Sequence, residues 1–316
     1  MEIGERARKW LVLPFGMLVG ALMVLQARVN AALSVETHDA TIAATISFGG
    51  GLLILAVLML CSRSARAKFV GLIGSIRRAE FPWWFVLGGA AGAFYVFSQG
   101  QAVPVIGIAL FTVAYVSAQS FGSLGWDRLG VGPSGAHHFT PARLAGAGLT
   151  VVAVGITVLA AHGGVGSASW LVLLPVLAGI GASWQQAANG RVRQHSGSVL
   201  ATTFWNFALG TAVLLIALLL QHLSTPLPST LPAVWWMYLG GPIGAIFIAI
   251  SSVVVRFAGV LMMSLTVTLG QLLTALILAP LTPSAPQPQL GTYLGTALAL
   301  LAVAVTALPS RTAPKP

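Results

Sequence analysis

Apolar stretches of about twenty residues, long enough to cross a bilayer, follow one another along almost the whole of this chain. They are continuous rather than alternating, which favours helices over the strands of a membrane β-barrel. Only 7% of the 316 residues are charged, against about a quarter in a soluble domain. Too few polar residues remain to cover a water-facing surface. The fold class predicted is an all-α, multi-pass membrane protein. The single cysteine, Cys61, allows no internal disulfide.

The apolar stretches repeat as a set. Gln26 and Asn30 stand four residues apart, about 40° from each other around a helix, and so share a face. Gln185 and Asn189 reproduce the pair at a shift of 159 residues, and the same shift lays Phe48 on Phe207 and Gly51 on Gly210. From the third stretch onward the shift becomes 152, the second half having a shorter loop. Trp83 and Trp84 then fall on Trp235 and Trp236, Gly88, Gly89 and Gly92 on Gly240, Gly241 and Gly244, and Gln119 on Gln271. Small residues at such spacing let helix backbones approach closely in lipid. The chain therefore reads as two five-helix units, residues 1–165 and 166–316, with HGGVGSAS as the linker.

Ten spans are predicted, at about residues 11–33, 41–61, 82–101, 105–125 and 143–161, then 170–190, 198–221, 233–255, 258–280 and 290–308. Five is odd, so the halves must enter the membrane in opposite senses. The basic residues agree. With the N-terminus cytoplasmic, Arg6, Arg8, Lys9, Arg63, Arg66, Lys68, Arg77, Arg78, Arg128, Arg143, Arg191, Arg193, Arg256, Arg311 and Lys315 all fall inside. The outer segments STPLPSTLPA and LTPSAPQPQ carry none. The formal charge of +10 is thus a topology signal rather than a nucleic-acid footprint, and both termini are expected in the cytoplasm. Between Arg63 and Arg78, Phe69, Leu72, Ile73 and Ile76 would share a face if helical. That segment is either an in-plane helix on an anionic leaflet or a solvated basic loop. Arg28, left near the outer end of the first span, is either a substrate anchor or a residue snorkelling to headgroups, Glu36 or Asp39.

All six acidic residues, Glu2, Glu5, Glu36, Asp39, Glu80 and Asp127, lie away from mid-span, and every histidine sits in a loop or at a span end. Proton coupling through a mid-membrane carboxylate is therefore disfavoured, while a group at the membrane edge stays open. No Ser–His pair, paired aspartates, metal cluster, phosphate-cradling motif, CxxC or HExxH suggests an enzyme or a cofactor.

Neutral polar stripes are left to carry function. In the fourth span Thr112, Tyr115 and Gln119 share a face, as Ser264, Thr268 and Gln271 do in the ninth. With Gln26, Asn30, Gln185 and Asn189 they would line a cavity between the first, fourth, sixth and ninth spans. Trp184, Trp205 and Asn206 would supply a stacking wall. The same residue types also tie helices together with no ligand, at roughly 0.6–2 kcal/mol per hydrogen bond.

The segments LQARVNAAL and WQQAANGRV, PWWFVLGGAAGAFYV and VWWMYLGGPIGAIFI, and VTLGQLLTALI resemble the bacterial YdcZ-type branch of the drug/metabolite transporter superfamily. The resemblance implies two inverted five-helix halves and an exporter in the bacterial inner (plasma) membrane. One departure is notable: related small multidrug exporters carry a membrane-embedded glutamate in the first helix, absent here. The expected function is alternating-access transport of a small organic metabolite or drug-like solute, without cofactor, metal or nucleic acid. A lipid-handling carrier and a non-transporting membrane assembly protein are the alternatives.

Overall fold

The computed structural model of the chain describes residues 2–133, 135–136, 141–161, 170–223, 226–228, 230–281 and 287–306, without the side chains of 2–12, 251–264 and a few isolated positions. The linker HGGVGSAS, His137, His138 and parts of STPLPSTLPA and LTPSAPQPQ lie outside the described residues.

The regular structure among them is helical. The first half holds α1 (Glu2–Thr37), α2 (Ala40–Cys61), α3 (Arg63–Arg77), α4 (Gly88–Ile106), α5 (Ile108–Arg128) and α6 (Pro141–Ala161). The second holds α7 (Leu173–Ser196), α8 (Val199–Gln221), α9 (Gly240–Leu278) and α10 (Leu290–Thr306). Five segments are long and apolar enough to cross a membrane: Leu13–Thr37, Ala40–Cys61, Ile108–Arg128, Trp170–Ser196 and Val199–Gln221.

Breaks between helices follow local chemistry. His38 takes a positive φ of 53°, and Asp39 then caps α2, its Oδ1 accepting from Thr41 N at 2.7 Å and Ile42 N at 3.1 Å. The equivalent step in the second half uses Gly197, φ 64°, and Ser198, whose Oγ accepts from Ala201 N at 3.1 Å. Gly107, φ 79°, separates α4 from α5. A short 3-10 turn precedes α4 (Trp83–Leu87) and its counterpart α9 (Trp235–Tyr238).

The segment left open between loop and in-plane helix is helical. Ser62 caps α3, and Leu72 is buried while Phe69 meets Phe204 edge-on at 5.2 Å, so α3 lies against α8. At its end Arg78 donates to both carboxylate oxygens of Glu80, at 2.7 and 3.0 Å. That bond holds the Glu80 carboxyl below its usual range and raises the Arg78 guanidinium.

The sequence predicts two spans where α9 runs as one stretch of helical backbone. The stretch is nevertheless doubled back. A Cβ at Gly244 would lie 2.7 Å from Gln26 Nε2, and one at Gly20 would lie 2.6 Å from Gln271 N. Gly20 and Gln26 are about 9 Å apart along α1, whereas a straight helix would separate Gly244 from Gln271 by about 40 Å. Two arms of α9 therefore pack on the same part of α1, and the reversal falls between Ile250 and Leu265.

The halves meet at α2 and α8, which run antiparallel. The start of α2 touches the end of α8 where Thr41 Oγ1 donates to Gln221 Oε1 at 2.7 Å and Gln221 Nε2 to Asp39 Oδ2 at 2.7 Å. Midway, Phe48 and Phe207 stack with ring centroids 5.0 Å apart. Each ring lies where the other half has a glycine: a Cβ at Gly51 would run into Phe207, and one at Gly210 into Phe48. In lipid, such packing is held by dispersion, about 0.1–0.2 kcal/mol per atom pair, rather than by exclusion of water. Leucines on the far faces, Leu53 and Leu219 among them, are exposed.

Candidate functional site

Two helix crossings carry the Gln/Asn amides, buried at the first and partly buried at the second, and each is built from both halves. At the first, α1 of the first half meets the start of α9. Gln26 is buried and its Nε2 donates to Gly240 O at 2.8 Å. Asn30, one turn on, has no exposure, and its Nδ2 donates to Gln99 Oε1 in α4 at 2.6 Å. The helices can approach because Gly240 and Gly241 lack side chains: a methyl on Gly240 would run into Asn30 Oδ1, and one on Gly241 into Ser47 O.

At the second crossing, α7 meets the start of α4. Gln185 Nε2 donates to Asn206 Oδ1 in α8 at 3.0 Å, and Asn206 Nδ2 donates to Asn189 Oδ1 at 2.7 Å and to Thr202 O at 3.0 Å. A Cβ at Gly88 would lie 3.1 Å from Asn189 Oδ1, and one at Gly89 would run into Asn206 O. The glycine pairs and the Gln/Asn pairs that align in the sequence thus meet each other, across the two halves. Both crossings sit where a 3-10 turn gives way to an α-helix. Interrupted helices at matching positions of two repeats are where transporters commonly place their sites.

The two polar stripes fare differently. Thr112 is buried, but its hydroxyl bonds back to Ile108 O at 2.8 Å. Tyr115 is buried beside Tyr95, ring centroids 4.5 Å apart, and accepts from Gln119 Nε2 at 3.2 Å. Gln271 is buried and its Nε2 reaches only Met23 Sδ, at 3.5 Å. Thr268 is buried on the same arm, and the Ser264 side chain lies outside the described residues. The glutamine backbones occupy matching places: a Cβ at Gly179 would lie 2.8 Å from Gln119 N, as one at Gly20 would from Gln271 N at 2.6 Å. No hydrogen bond joins the two glutamines among the described residues.

Trp184 belongs to an apolar cluster with Leu72, Phe81, Phe85 and Val86. Trp205 joins it from α8, its Nε1 donating to Val86 O at 3.0 Å. Arg28 donates from Nη2 to Leu281 O at 3.1 Å, just past the end of α9. A cation there also complements the negative end of the helix dipole. Sequence reasoning passed over Ser47 and Gln99. Ser47 was within reach, since the shift of 159 places it on Asn206. The described residues hold no cluster of His, Cys, Asp or Glu suited to a metal.

Comparison with known proteins agrees with this architecture. A solved structure described as "Crystal structure of protein" shares the fold, with a TM-score of 0.57 and 21% identity over 97% of this chain and 98% of that one. No curated protein matches. A family model described as "Putative inner membrane exporter, YdcZ" matches two consecutive segments, residues 11–157 and 170–305, which together take in both halves and both amide crossings. The chain is a multi-pass inner-membrane protein of transporter type, and it belongs to the YdcZ family.

Proposed function

We propose that this protein exports a small organic solute, uncharged or weakly charged, by alternating access between two inverted five-span halves with both termini in the cytoplasm. The observation that carries this reading is the pairing of the two crossings. Neutral amides meet interrupted helices at equivalent positions of the two halves, and α2 and α8, equivalent helices, run in opposite directions. Neutral amides hold a solute without the desolvation cost of a buried charge, and so can also release it. Tyr115 and Gln119 on one wall and Thr268 and Gln271 on the other complete the proposed lining.

Purified protein in liposomes, loaded with solutes first selected for raising its melting temperature, tests the reading. Saturable flux is expected. A non-transporting assembly protein would give none, and a lipid carrier would move labelled lipid instead. Gln119→Leu and Gln271→Leu should each weaken binding while leaving the folded fraction near normal. A loss of melting temperature with unchanged affinity would make both glutamines structural. Orientation is tested after replacing the exposed Cys61. A cysteine at positions 226–228 should react with an impermeant reagent in intact cells, and one on α3 should not.

A further inference from the structure

The two crossings differ in how completely their amides are paired. At the α7 crossing Asn206 bridges Gln185 and Asn189. At the α1 crossing the equivalent position is Ser47, which is too short to bridge. Asn30 turns instead to Gln99. Three atoms are left with no hydrogen-bond partner: Asn30 Oδ1, Gln99 Nε2 and Ser47 Oγ. Their residues are 0%, 0% and 3% exposed, so bulk water does not serve them. Two of the three lie against the first residue of α9, where a methyl on Gly240 would meet Asn30 Oδ1 and Ser47 Oγ. The Tyr95 hydroxyl, one turn before Gln99, faces the Gln99 amide without completing a hydrogen bond of ordinary geometry.

Buried polar atoms are rarely left unpaired, and a group with no partner in one state of a protein is well placed to gain one in another. The identity of the unpaired groups fixes what can satisfy them. Asn30 and Gln99 can exchange oxygen and nitrogen in step while keeping the bond between them. In one arrangement Asn30 Oδ1 and Gln99 Nε2 are free, and in the other Asn30 Nδ2 and Gln99 Oε1. Either way one carbonyl and one amino group remain, beside the Ser47 hydroxyl. A carboxylate would confront the carbonyl with a second acceptor, and an ammonium would confront the amino group with a second donor.

Building on the transport reading above, we propose that Asn30, Ser47 and Gln99 form a subsite for a neutral solute group that both donates and accepts a hydrogen bond, namely a hydroxyl or a carboxamide. It is closed by Gly240 in this conformation and opens when the first arm of α9 moves away from α1. The second half has no such subsite, because Asn206 bridges Gln185 and Asn189, which are themselves only partly buried.

Four probes of one shape test this: benzyl alcohol, benzamide, benzoate and benzylammonium, each titrated against the full-length purified protein in detergent while its melting temperature is followed. The alcohol and the amide should stabilise it and the two ions should not. Gln99→Leu should weaken the alcohol and amide about tenfold or more. It also strands Asn30 Nδ2, so the free protein should melt below the parent, and affinity is compared on the folded fraction. Ser47→Asn should rebuild the bridge seen at Asn206, raising the melting temperature of the free protein and abolishing the response. Equal responses to all four probes, no response to any, or full response in Gln99→Leu would each overturn the subsite. Flux that survives Gln99→Leu in the liposome assay would leave the transport reading standing without the subsite. Melting shifts without flux would do the reverse.

Discussion

The crossing of α1 with α9 and the crossing of α7 with α4 are built from the same residue positions, yet they end in different states. Each has a Gln and an Asn one turn apart, pressed against two glycines of the opposite half. At one, Asn206 bonds to both the Gln and the Asn. At the other, the serine in its place leaves a carbonyl, an amino group and a hydroxyl unpaired. The shared part concerns how the helices approach, and the unshared part concerns what the buried polar groups are free to do. Symmetry sets the frame, and a departure of one residue sets the chemistry.

The largest expected effect tests the shared part. Gly241→Leu and Gly89→Leu each drive a side chain into a backbone carbonyl, Ser47 O or Asn206 O, that cannot withdraw. Both should abolish recovery of monodisperse protein, checked by size exclusion in detergent. Tolerance of one and not the other would show that the crossings are unequal even in their packing.

Next comes the unshared part. Asn206→Leu removes a bridge between the partly buried Gln185 and Asn189, which should cost roughly 1–3 kcal/mol in stability. Ser47→Ala removes a hydroxyl with no partner and should leave the melting temperature almost unchanged. Equal losses at the two positions would erase the distinction.

A smaller difference lies at the helix caps. Asp39→Ala and Ser198→Ala should each lose about 1 kcal/mol from the cap itself. Asp39 should lose more, since its Oδ2 also meets Gln221 Nε2 at 2.7 Å and His222 Nε2 at 3.0 Å. Arg28→Gln gives up one bond to Leu281 O, so expression should fall slightly while ligand specificity stays intact. Its counterpart Ala187 shows that the shared design does not need it.

The smallest effect is at the exposed Arg78–Glu80 pair. Its contribution is present above the ordinary carboxylate range and is lost as pH falls through the lowered pKa of Glu80. Water screens the pair, so Glu80→Gln should leave the thermal melt at pH 7 unmoved.

Much of this was legible before any coordinates. The shifts of 159 and 152 already pair Gly88 with Gly240 and Gln26 with Gln185, because helix packing in lipid depends on small residues whose spacing survives in the chain. What a sequence does not carry is which face of one helix meets which face of another. So the Gln/Asn pairs read as cavity lining, and the structure places them first of all on glycines of the opposite half. Gln99 escaped for a related reason. A single amide in an apolar span has no pattern of its own, and only the approach of Asn30 makes it notable. The sequence divides α9 into two stretches, and the contacts of its two arms with one part of α1 show the chain turning back between them.

The stack of Phe48 on Phe207 has a consequence for how such a chain can evolve. In a homodimer with twofold symmetry, a residue near the axis meets its own copy, and every other contact occurs twice with the roles exchanged. Phe48 and Phe207 are copies that meet, and Gly51 with Phe207 and Gly210 with Phe48 are one contact seen twice. The interface is therefore isologous, although both partners belong to a single polypeptide. In a true homodimer any substitution is made on both sides at once, so an unpaired amide on one side would be unpaired on the other. Fusion removes that constraint. A single covalent chain can keep Asn206 as the element that holds its shape and spend the matching position, Ser47, on something else.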